Sequence, residues 1–238
     1  MNKLKIAITG HSKGIGKALA DLLTSQGHTV IGFSRSNGYN IRYLAIRNSI
    51  IEQSSDCDVF INNAYSYGAQ TELLKTLIPL WEGTNKFIIN IGSKVTLAGR
   101  TLDPAAQELT SINPLDPTIT KEKADVIKSW FDDYITHKID QLVEIAKYNF
   151  RSSPRILAVN CGFVDTDMVR AFKTDRMSLA EDVAAMLVDV IKHKDKVHIQ
   201  EITTDGLDID YINLHYDFDE LYLWVQEKLE RDYPTIYE

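Results

Sequence analysis

The chain opens with a strand, a glycine-rich turn and a helix, and no other feature constrains its fold as strongly. Residues 4–9 (Leu-Lys-Ile-Ala-Ile-Thr) form a short apolar run typical of a buried strand, and the turn from Gly10 to Gly16 follows. Apolar residues then recur at helical spacing over 15–26, and Gly27 is placed to end that helix. Glycines at this turn let a phosphate approach the backbone at the positive end of the helix. The segment therefore predicts a cradle for the phosphates of a dinucleotide.

Strands continue to alternate with helices along the chain. The β-rich runs span 29–33, 58–61, 87–91, 155–160 and 197–202. A helix is expected near 69–82, and a longer helical stretch has an apolar stripe from Ile127 to Ala146. Strands that alternate with helices are typical of a parallel sheet covered on both faces. We predict an α/β fold with a Rossmann-like, doubly wound parallel sheet, three layers thick, in a single domain.

The charge of the 238 residues is distributed unevenly. The chain has 33 acidic and 26 basic side chains and a formal net charge of −7, yet residues 205–238 alone hold ten acids and two bases. The remainder is near neutral, which argues against a nucleic-acid partner because phosphate binding needs a basic stripe. The acidic, aromatic tail has Leu221, Tyr222 and Val225 on one helical face. We predict that it is an extension of the same domain, with a helix docked on this chain or on a partner subunit.

Cysteine content and hydropathy exclude several classes of protein. Cys57 and Cys161 are too few for a disulfide framework and indicate a reducing compartment. No run approaches the roughly 18 apolar residues of a membrane-spanning helix. The six histidines show no spacing typical of a metal site. We therefore predict a cytoplasmic protein with neither a metal nor a membrane partner.

The end of the second predicted strand bears on which dinucleotide binds. Proteins that hold a free ribose 2′-hydroxyl usually present Asp or Glu there. This strand instead ends Gly32-Phe33-Ser34-Arg35, and Arg35 could hold a 2′-phosphate through two hydrogen bonds. Lys13, within the glycine turn, could add a second positive charge. The pattern favours NADP(H), with NAD(H) possible; alternatively, both cations are solvated surface charges.

A tyrosine and a lysine lie four residues apart in the long helical stretch. Tyr134 and Lys138 therefore share one helix face and can meet the same substrate. A nearby cation stabilises a phenolate, so Lys138 is expected to lower the pKa of Tyr134 toward neutral pH. The pair is common by chance, and its value depends on its place in the chain.

Five motifs, in a fixed order, resemble those of the short-chain dehydrogenase/reductase family. They are Thr9-Gly10-x-x-x-Gly14-Ile15-Gly16, Asn62-Asn63-Ala64, Asn90-Ile91-Gly92-Ser93, Tyr134-x-x-x-Lys138 and Asn160-Cys161-Gly162-Phe163-Val164-Asp165-Thr166-Asp167-Met168. Each falls at the strand end or helix where the family has it. The resemblance implies an NADP-binding catalytic domain over residues 1–204.

The resemblance also implies roles for particular residues. Tyr134 would be the general acid/base at the carbonyl or alcohol oxygen, Lys138 would bind the nicotinamide ribose, and Ser93 would hydrogen-bond the substrate oxygen. Donors aimed at a developing alkoxide, and an acid placed to protonate it, are what this chemistry needs. The residues implied to bind the cofactor are Gly10, Ser12, Lys13, Gly14, Ile15, Gly16, Ser34, Arg35, Asn62, Asn63, Ala64, Tyr134, Lys138, Gly162, Val164 and Thr166.

The sequence departs from the family pattern at several places. The segment between Arg35 and Asn62 is short, so one helix is expected to be lost there. The family often has a catalytic asparagine in the span before Ser93, yet none occurs between Asn63 and Asn85. Tyr65 replaces a glycine. An insertion near 95–122 could be a substrate lid or a subunit contact.

Three functions are compatible with these motifs. The favoured one is an NADP(H)-dependent oxidoreductase that interconverts a small-molecule carbonyl and an alcohol by hydride transfer, as a homo-oligomer usual for the family. The alternative is a cofactor-binding regulatory or scaffold protein with little catalysis, which the missing asparagine and Tyr65 would favour. A lyase or epimerase with the same cofactor is a third, less well supported by the glycine spacing.

Overall fold

A computed structural model describes residues 3–98, 120–148, 151, 153–170, 172–173, 177–205, 215–216 and 218–232. Its strands are β1 (Lys5–Thr9), β2 (Thr29–Phe33), β3 (Val59–Asn62), β4 (Phe87–Ile91), β5 (Arg155–Cys161), β6 (Phe172–Lys173), β7 (Glu201–Thr204) and β8 (His215–Tyr216). Its α-helices are α1 (Gly14–Ser25), α2 (Leu44–Gln53), α3 (Ala69–Leu80), α4 (Val95–Ala98), α5 (Lys121–Ala146), α6 (Ala180–His193) and α7 (Phe218–Asp232).

Six of the strands form one parallel sheet in the order β2-β1-β3-β4-β5-β7. The order reverses between β1 and β3. The segments that follow these two strands therefore leave in opposite directions, and a crevice opens between them. In open α/β sheets, ligands bind at such a switch point. The predicted α/β class and doubly wound parallel sheet are thus confirmed.

Alternate side chains of each buried strand enter two different cores. On β1, Ile6 and Ile8 face the layer of α1 and α6, whereas Ala7 faces the layer of α2, α3 and the end of α5. All three side chains have no exposed surface. Strands buried on both faces explain why the sequence shows continuous apolar runs instead of alternation. The sheet and the helical layers on its two faces are the three layers that the sequence predicts.

The segment between β2 and β3 is short, as the sequence indicated. It holds a 3-10 turn (Arg35–Asn37) and the single α-helix α2, so the expected loss of a helix is confirmed. The strand that usually lies outside β2 is also missing, and β2 is an edge of the described sheet. The Asn37 side chain lies along this edge: its Nδ2 donates to the Gly32 carbonyl over 2.8 Å, and its Oδ1 accepts from the Ser34 N–H over 2.8 Å.

Two predicted segments fall partly outside the described residues. Of the insertion near 95–122, residues 99–119 lie outside them, as do 206–214, 217 and 233–238 of the tail. The predicted amphipathic tail helix is present as α7. It packs on α5 of the same chain, where Leu221 and Val225 are buried against Ile127 and Trp130.

The last strand of the sheet, β7, begins at Glu201 instead of at residue 197. Its pairing with β5 starts at Ala158 opposite Glu201, and the preceding Val197 is largely exposed. The prediction from apolar character alone therefore began this strand too early in the sequence. Among the described helices, none is both long enough and apolar enough to cross a bilayer.

Candidate active site

The glycine turn is fixed to the end of β3 by a few backbone-directed hydrogen bonds. The Thr9 hydroxyl accepts from the backbone N–H groups of Asn63 (2.9 Å) and Ala64 (3.0 Å). The Asn63 amide donates to the Thr9 carbonyl over 3.0 Å. Gly10 has φ +73°, and a Cβ there would lie 2.8 Å from Asn63 Nδ2. The turn thus needs glycine both for its left-handed backbone and for close packing.

The first turn of α1 faces the crevice. Lys13 is its N-cap residue and makes no side-chain cap bond, so no side chain at that position covers the N–H groups of the turn. Gly14 has φ +51° and approaches Thr166, whose methyl carbon would lie 2.9 Å from a Cβ at this glycine. A cradle of exposed N–H groups at a helix N-terminus suits the pyrophosphate of a dinucleotide. These residues fit such a cofactor.

Lys13 itself is held by a partner that the sequence did not predict. Its ammonium forms an exposed ion pair with Asp167, 2.7 Å long, across the crevice. The ion pair lowers the pKa of the Asp167 carboxyl. The expected contact of Lys13 with a 2′-phosphate stays a prediction.

The end of β2 presents the residues expected at the adenosine end of the cofactor. Ser34 is buried and its hydroxyl lies 2.7 Å from that of Ser36. Arg35 begins the 3-10 turn with an exposed side chain. No acid stands at this strand end, as the sequence indicated.

Ser93, Tyr134 and Lys138 come together at the carboxyl end of β4. Ser93 follows this strand, and its hydroxyl acts on the Tyr134 phenol, whose pKa it lowers. The Lys138 ammonium donates to the Ile91 carbonyl over 3.1 Å and lies 5.7 Å from the centre of the Tyr134 ring. Residues distant in sequence thus form the predicted constellation.

Burial controls the ionisation of this group. It raises the pKa of Tyr134 to about 12, although the nearby Ser93 hydroxyl acts in the opposite direction. Burial also lowers the pKa of Lys138 to about 7. The tyrosine shift is opposite to the sequence-based expectation, because removal from water outweighs any stabilisation of the phenolate by the lysine. Tyr134 is therefore a neutral phenol at pH 7 and can give a proton.

Aromatic rings surround the Tyr134 phenol. Tyr65 packs edge-on against it with ring centres 5.0 Å apart, and Trp130 stacks on it at 5.4 Å with an interplanar angle of 9°. Trp224 of α7 packs on Trp130 at 4.8 Å. The Lys138 ammonium lies 5.3 Å from the Tyr65 ring centre. The side chain that replaces the family's glycine is thus part of the wall beside the phenol.

A closed set of buried amides lies beneath Lys138. Gln70 Oε1 accepts from Lys138 Nζ (2.9 Å) and from Gln141 Nε2 (2.8 Å). Gln141 Oε1 accepts from Asn90, and Asn90 Oδ1 accepts from Asn62 Nδ2, over 3.1 and 3.0 Å. Gln70 Nε2 returns to the Asn62 carbonyl over 2.7 Å. All four amide side chains are completely buried.

Several residues predicted to touch the cofactor have structural contacts of their own. Asn62 belongs to the amide set, and Val164 is buried in the core beneath the α1 layer. Gly162 packs against Asp205, and Thr166 Oγ1 accepts from the Met168 N–H over 3.3 Å. Ser12, Ile15 and Gly16 lie in the turn or at the start of α1, and Ala64 follows β3. Their contacts with a cofactor stay predictions.

Sequence analysis missed three residues of the site: Gln70, Gln141 and Asp167. Gln141 is three residues beyond Lys138 and therefore on the same helix face, which was a usable signal. Gln70 gave none, because its contact with Lys138 spans 68 positions. Cys161 is buried near Lys138, and burial raises the pKa of its thiol, as expected for a packing residue. Among the described residues, no cluster of three or more His, Cys, Asp or Glu could hold a metal.

Comparisons with known proteins identify the fold. No family model matches the chain. A 3-alpha-hydroxysteroid dehydrogenase from Pseudomonas sp. B-0831, complexed with NADH, superposes with a TM-score of 0.60 at 20% identity and covers 85% of this chain and 95% of its own. A short chain dehydrogenase from Burkholderia cenocepacia J2315, in complex with NADP, has a TM-score of 0.58 at 13% identity and covers 99% and 96%. The chain has the short-chain dehydrogenase/reductase fold. The resemblance inferred from the five motifs is thereby confirmed at the level of the fold.

One curated relative also matches in sequence. It is an NADPH-dependent pterin aldehyde reductase from Arabidopsis thaliana, 25% identical over 156 residues. The match spans 66% of this chain but only 61% of that protein. Its activity is therefore a guide to experiments on this fold and not an assignment.

Proposed function

We propose that this protein is an NADP(H)-dependent oxidoreductase that reduces the carbonyl of a small molecule to an alcohol. The observation that carries the proposal is the grouping of Ser93, Tyr134 and the Lys138 ammonium at the carboxyl end of β4. The fold and the NADPH-dependent relative support it. Arg35, and the absence of an acid after β2, favour NADP(H); NAD(H) remains a possible second cofactor.

The reaction needs one hydride and one proton. A bound nicotinamide supplies the hydride to the carbonyl carbon. Tyr134 supplies the proton: its O–H bond breaks as a new O–H bond forms on the substrate oxygen. Ser93 donates a hydrogen bond to the same oxygen as negative charge develops there. The Lys138 cation then stabilises the phenolate left on Tyr134.

The ionisation of the phenol indicates which direction of a reversible reaction the resting site is prepared for. A pKa of about 12 keeps Tyr134 protonated at pH 7, which suits it to donate a proton and so to act in reduction. Oxidation of an alcohol would first require the phenolate, which burial disfavours. At pH 7 the resting site thus holds the protonation state from which reduction begins.

The aromatic wall indicates a flat substrate. The Tyr65 ring is partly exposed beside the phenol, which is backed by the buried ring of Trp130, and a partly exposed ring can bind a planar aromatic molecule. The relative's pterin aldehyde is such a molecule. A panel of aromatic and aliphatic aldehydes, pterin aldehyde included, with NADPH oxidation followed by absorbance, tests the proposal. No turnover of any carbonyl by correctly folded protein would reject it.

A regulatory or scaffold role is the second candidate. Tyr65, in place of a glycine, brings a bulky ring to 5.0 Å from Tyr134. If it narrows access to the phenol, the protein would bind NADPH without rapid turnover. Tight NADPH binding with an inactive panel, and activity gained on Tyr65→Gly, would favour this alternative.

We also propose a homo-oligomer in a cytoplasmic, reducing environment. Ile139 and Val143 lie one turn apart on α5 and are 40% and 54% exposed, which offers an apolar strip for a second copy. Cys57 and Cys161 are free and buried. Light scattering of the wild type and of Val143→Asp tests the assembly. A monomeric wild type would reject it.

A further inference from the structure

We propose that Gln70 is a positioning residue, whose carboxamide fixes the Lys138 ammonium in its cationic form beside Tyr134. The inference rests on the proposed reductase function, in which Lys138 stabilises the phenolate of Tyr134. Gln70 is the second residue of α3, a helix that packs against α5. No motif assigns it a role.

The hydrogen bonds of Gln70 leave its carboxamide only one orientation. Its Nε2 donates to the carbonyls of Asn62 (2.7 Å) and Ile91 (3.0 Å), which can only accept. Its Oε1 accepts from Lys138 and Gln141, at 2.9 and 2.8 Å. If the Gln70 amide were flipped, its NH₂ group would face the N–H donors of Lys138 and Gln141. The acceptor that faces Lys138 is therefore determined by the ends of β3 and β4.

Lys138 depends on this acceptor because it has few others. An ammonium has three N–H donors, and two of them go to Gln70 Oε1 and the Ile91 carbonyl. The side chain is 3% exposed, and no carboxylate contacts it in the part of the chain that the structure describes. Neutral dipoles thus replace a counter-ion. The third N–H remains for Tyr134 or a ribose hydroxyl.

The amide set explains why Gln70 does not move. Gln141 receives its own hydrogen bond from Asn90, which is held in turn by Asn62. Strands β3 and β4 and helices α3 and α5 are thereby joined in one ring of directed bonds. A glutamine held on all four of its hydrogen-bonding positions loses no freedom when Lys138 changes charge. It can act as a fixed support for that charge.

The other groups that face Lys138 cannot take over this task. They are Tyr134 on α5, Tyr65 after β3 and Cys161 at the end of β5. Burial keeps the phenol of Tyr134 and the thiol of Cys161 neutral at pH 7. The Tyr65 ring offers its face to the ammonium. Gln70 Oε1 and the Ile91 carbonyl are therefore the strong acceptors of hydrogen bonds from Lys138.

The test follows the protonation of Lys138 directly. Protein grown with lysine labelled with ¹³C at the ε carbon is titrated by NMR, and Lys138→Met identifies the signal. In the wild type we expect a midpoint near pH 7. Gln70→Met, which keeps the size but removes the acceptor, should lower the midpoint by about one to two pH units, the value of a hydrogen bond to a charged group. Gln70→Glu, which places a carboxylate there, should raise it.

Thr71→Val is the matched control. Thr71 is the next residue of α3, is equally buried, and its hydroxyl has no hydrogen-bond partner. Its variant should leave the midpoint unchanged. A midpoint in Gln70→Met equal to that of the wild type, with water replacing the amide, would overturn the proposal. If Gln70→Met does not fold, an unchanged midpoint in Gln70→Glu overturns it equally.

Kinetics separate this proposal from the proposed function. If a carbonyl is reduced, Gln70→Met should shift the alkaline limb of the kcat profile to lower pH while KM for NADPH changes little. If no carbonyl is reduced, the function fails but the NMR midpoints still decide the role of Gln70. If Gln70→Met shifts the Lys138 midpoint but leaves the pH profile of kcat unchanged, support of the ammonium does not affect catalysis. That result would overturn the positioning role.

Discussion

Trp130 and Tyr134 lie one helical turn apart on α5 with their rings nearly parallel, 5.4 Å between centres. Tyr65 packs edge-on against the same ring. Two aromatic neighbours therefore hold the Tyr134 ring regardless of its hydroxyl. Removal of that hydroxyl alone is a clean chemical test, because the ring keeps its contacts.

Tyr134→Phe should abolish reduction without loss of cofactor. The proton donor is gone, and general acid catalysis typically contributes about 10²- to 10⁴-fold, so kcat should fall by that factor. The Kd for NADPH, measured by fluorescence titration, should change little. Tyr148→Phe, near the far end of the same helix, is the control and should keep full activity. Full activity in Tyr134→Phe would contradict the proposed acid.

Arg35→Glu should reverse the choice of cofactor. It replaces an exposed guanidinium with the acid that suits a free ribose hydroxyl. A charged hydrogen bond contributes about 1.5–3 kcal/mol, so the ratio of kcat/KM for NADPH over NADH should fall by about 10- to 150-fold. Arg151→Glu, at a residue that pairs with Glu82 after α3, should leave the ratio unchanged.

Lys13→Ala, measured beside Arg35→Glu, separates the two cations. If Lys13 only pairs with Asp167, the cofactor ratio should stay as in the wild type. An equal fall in both variants would mean that the ion pair opens and that Lys13 joins Arg35 on the 2′-phosphate.

The free energy of unfolding should depend on pH through Lys138. Its pKa is about 7 in the fold and about 10.4 in an unfolded chain, so the unfolded state binds one more proton between these values. The stability of the wild type should therefore rise relative to Lys138→Met, by up to about 1.4 kcal/mol per pH unit from pH 7 to 10. Urea unfolding of both proteins across this range measures it. Parallel pH profiles would show that Lys138 is not buried as described.

Trp224→Ala should destabilise the protein strongly. The ring is 2% exposed, packs on Trp130, and donates from Nε1 to the Asp167 carbonyl over 3.2 Å. Loss of a buried Trp costs about 3–5 kcal/mol. Leu223→Ala is the adjacent control: that side chain is 64% exposed, and its loss should change stability by less than about 0.5 kcal/mol. If both substitutions changed the stability equally, α7 would not pack on α5 as described.

Local patterns in the sequence were sufficient for the first five strands of the parallel sheet, the glycine turn and the Tyr134–Lys138 pair. β1 and β4 are continuous apolar runs bounded by turn residues, and buried parallel strands have this appearance. The tail helix was also readable, since its apolar residues recur at helical spacing. Its docking on α5 of the same chain was one of two options that periodicity could not separate.

Long-range electrostatics could not be predicted in this way. The expected fall in the Tyr134 pKa considered its neighbour Lys138 but not the rings that exclude water from both. The Lys13–Asp167 ion pair joins residues 154 positions apart, and the contact of Gln70 with Lys138 is likewise non-local. Such contacts depend on how strands and helices are arranged, which the order of motifs does not reveal.

The Asn37 side chain does for the edge of β2 what a peptide unit of another strand would do. A carboxamide has the same donor and acceptor as a backbone amide, and it occupies the outward-facing carbonyl of Gly32 and N–H of Ser34. An exposed sheet edge is a template for unwanted pairing between molecules. With the outer strand lost, a single asparagine occupies two of the peptide groups that this edge would otherwise offer to a strand of another molecule.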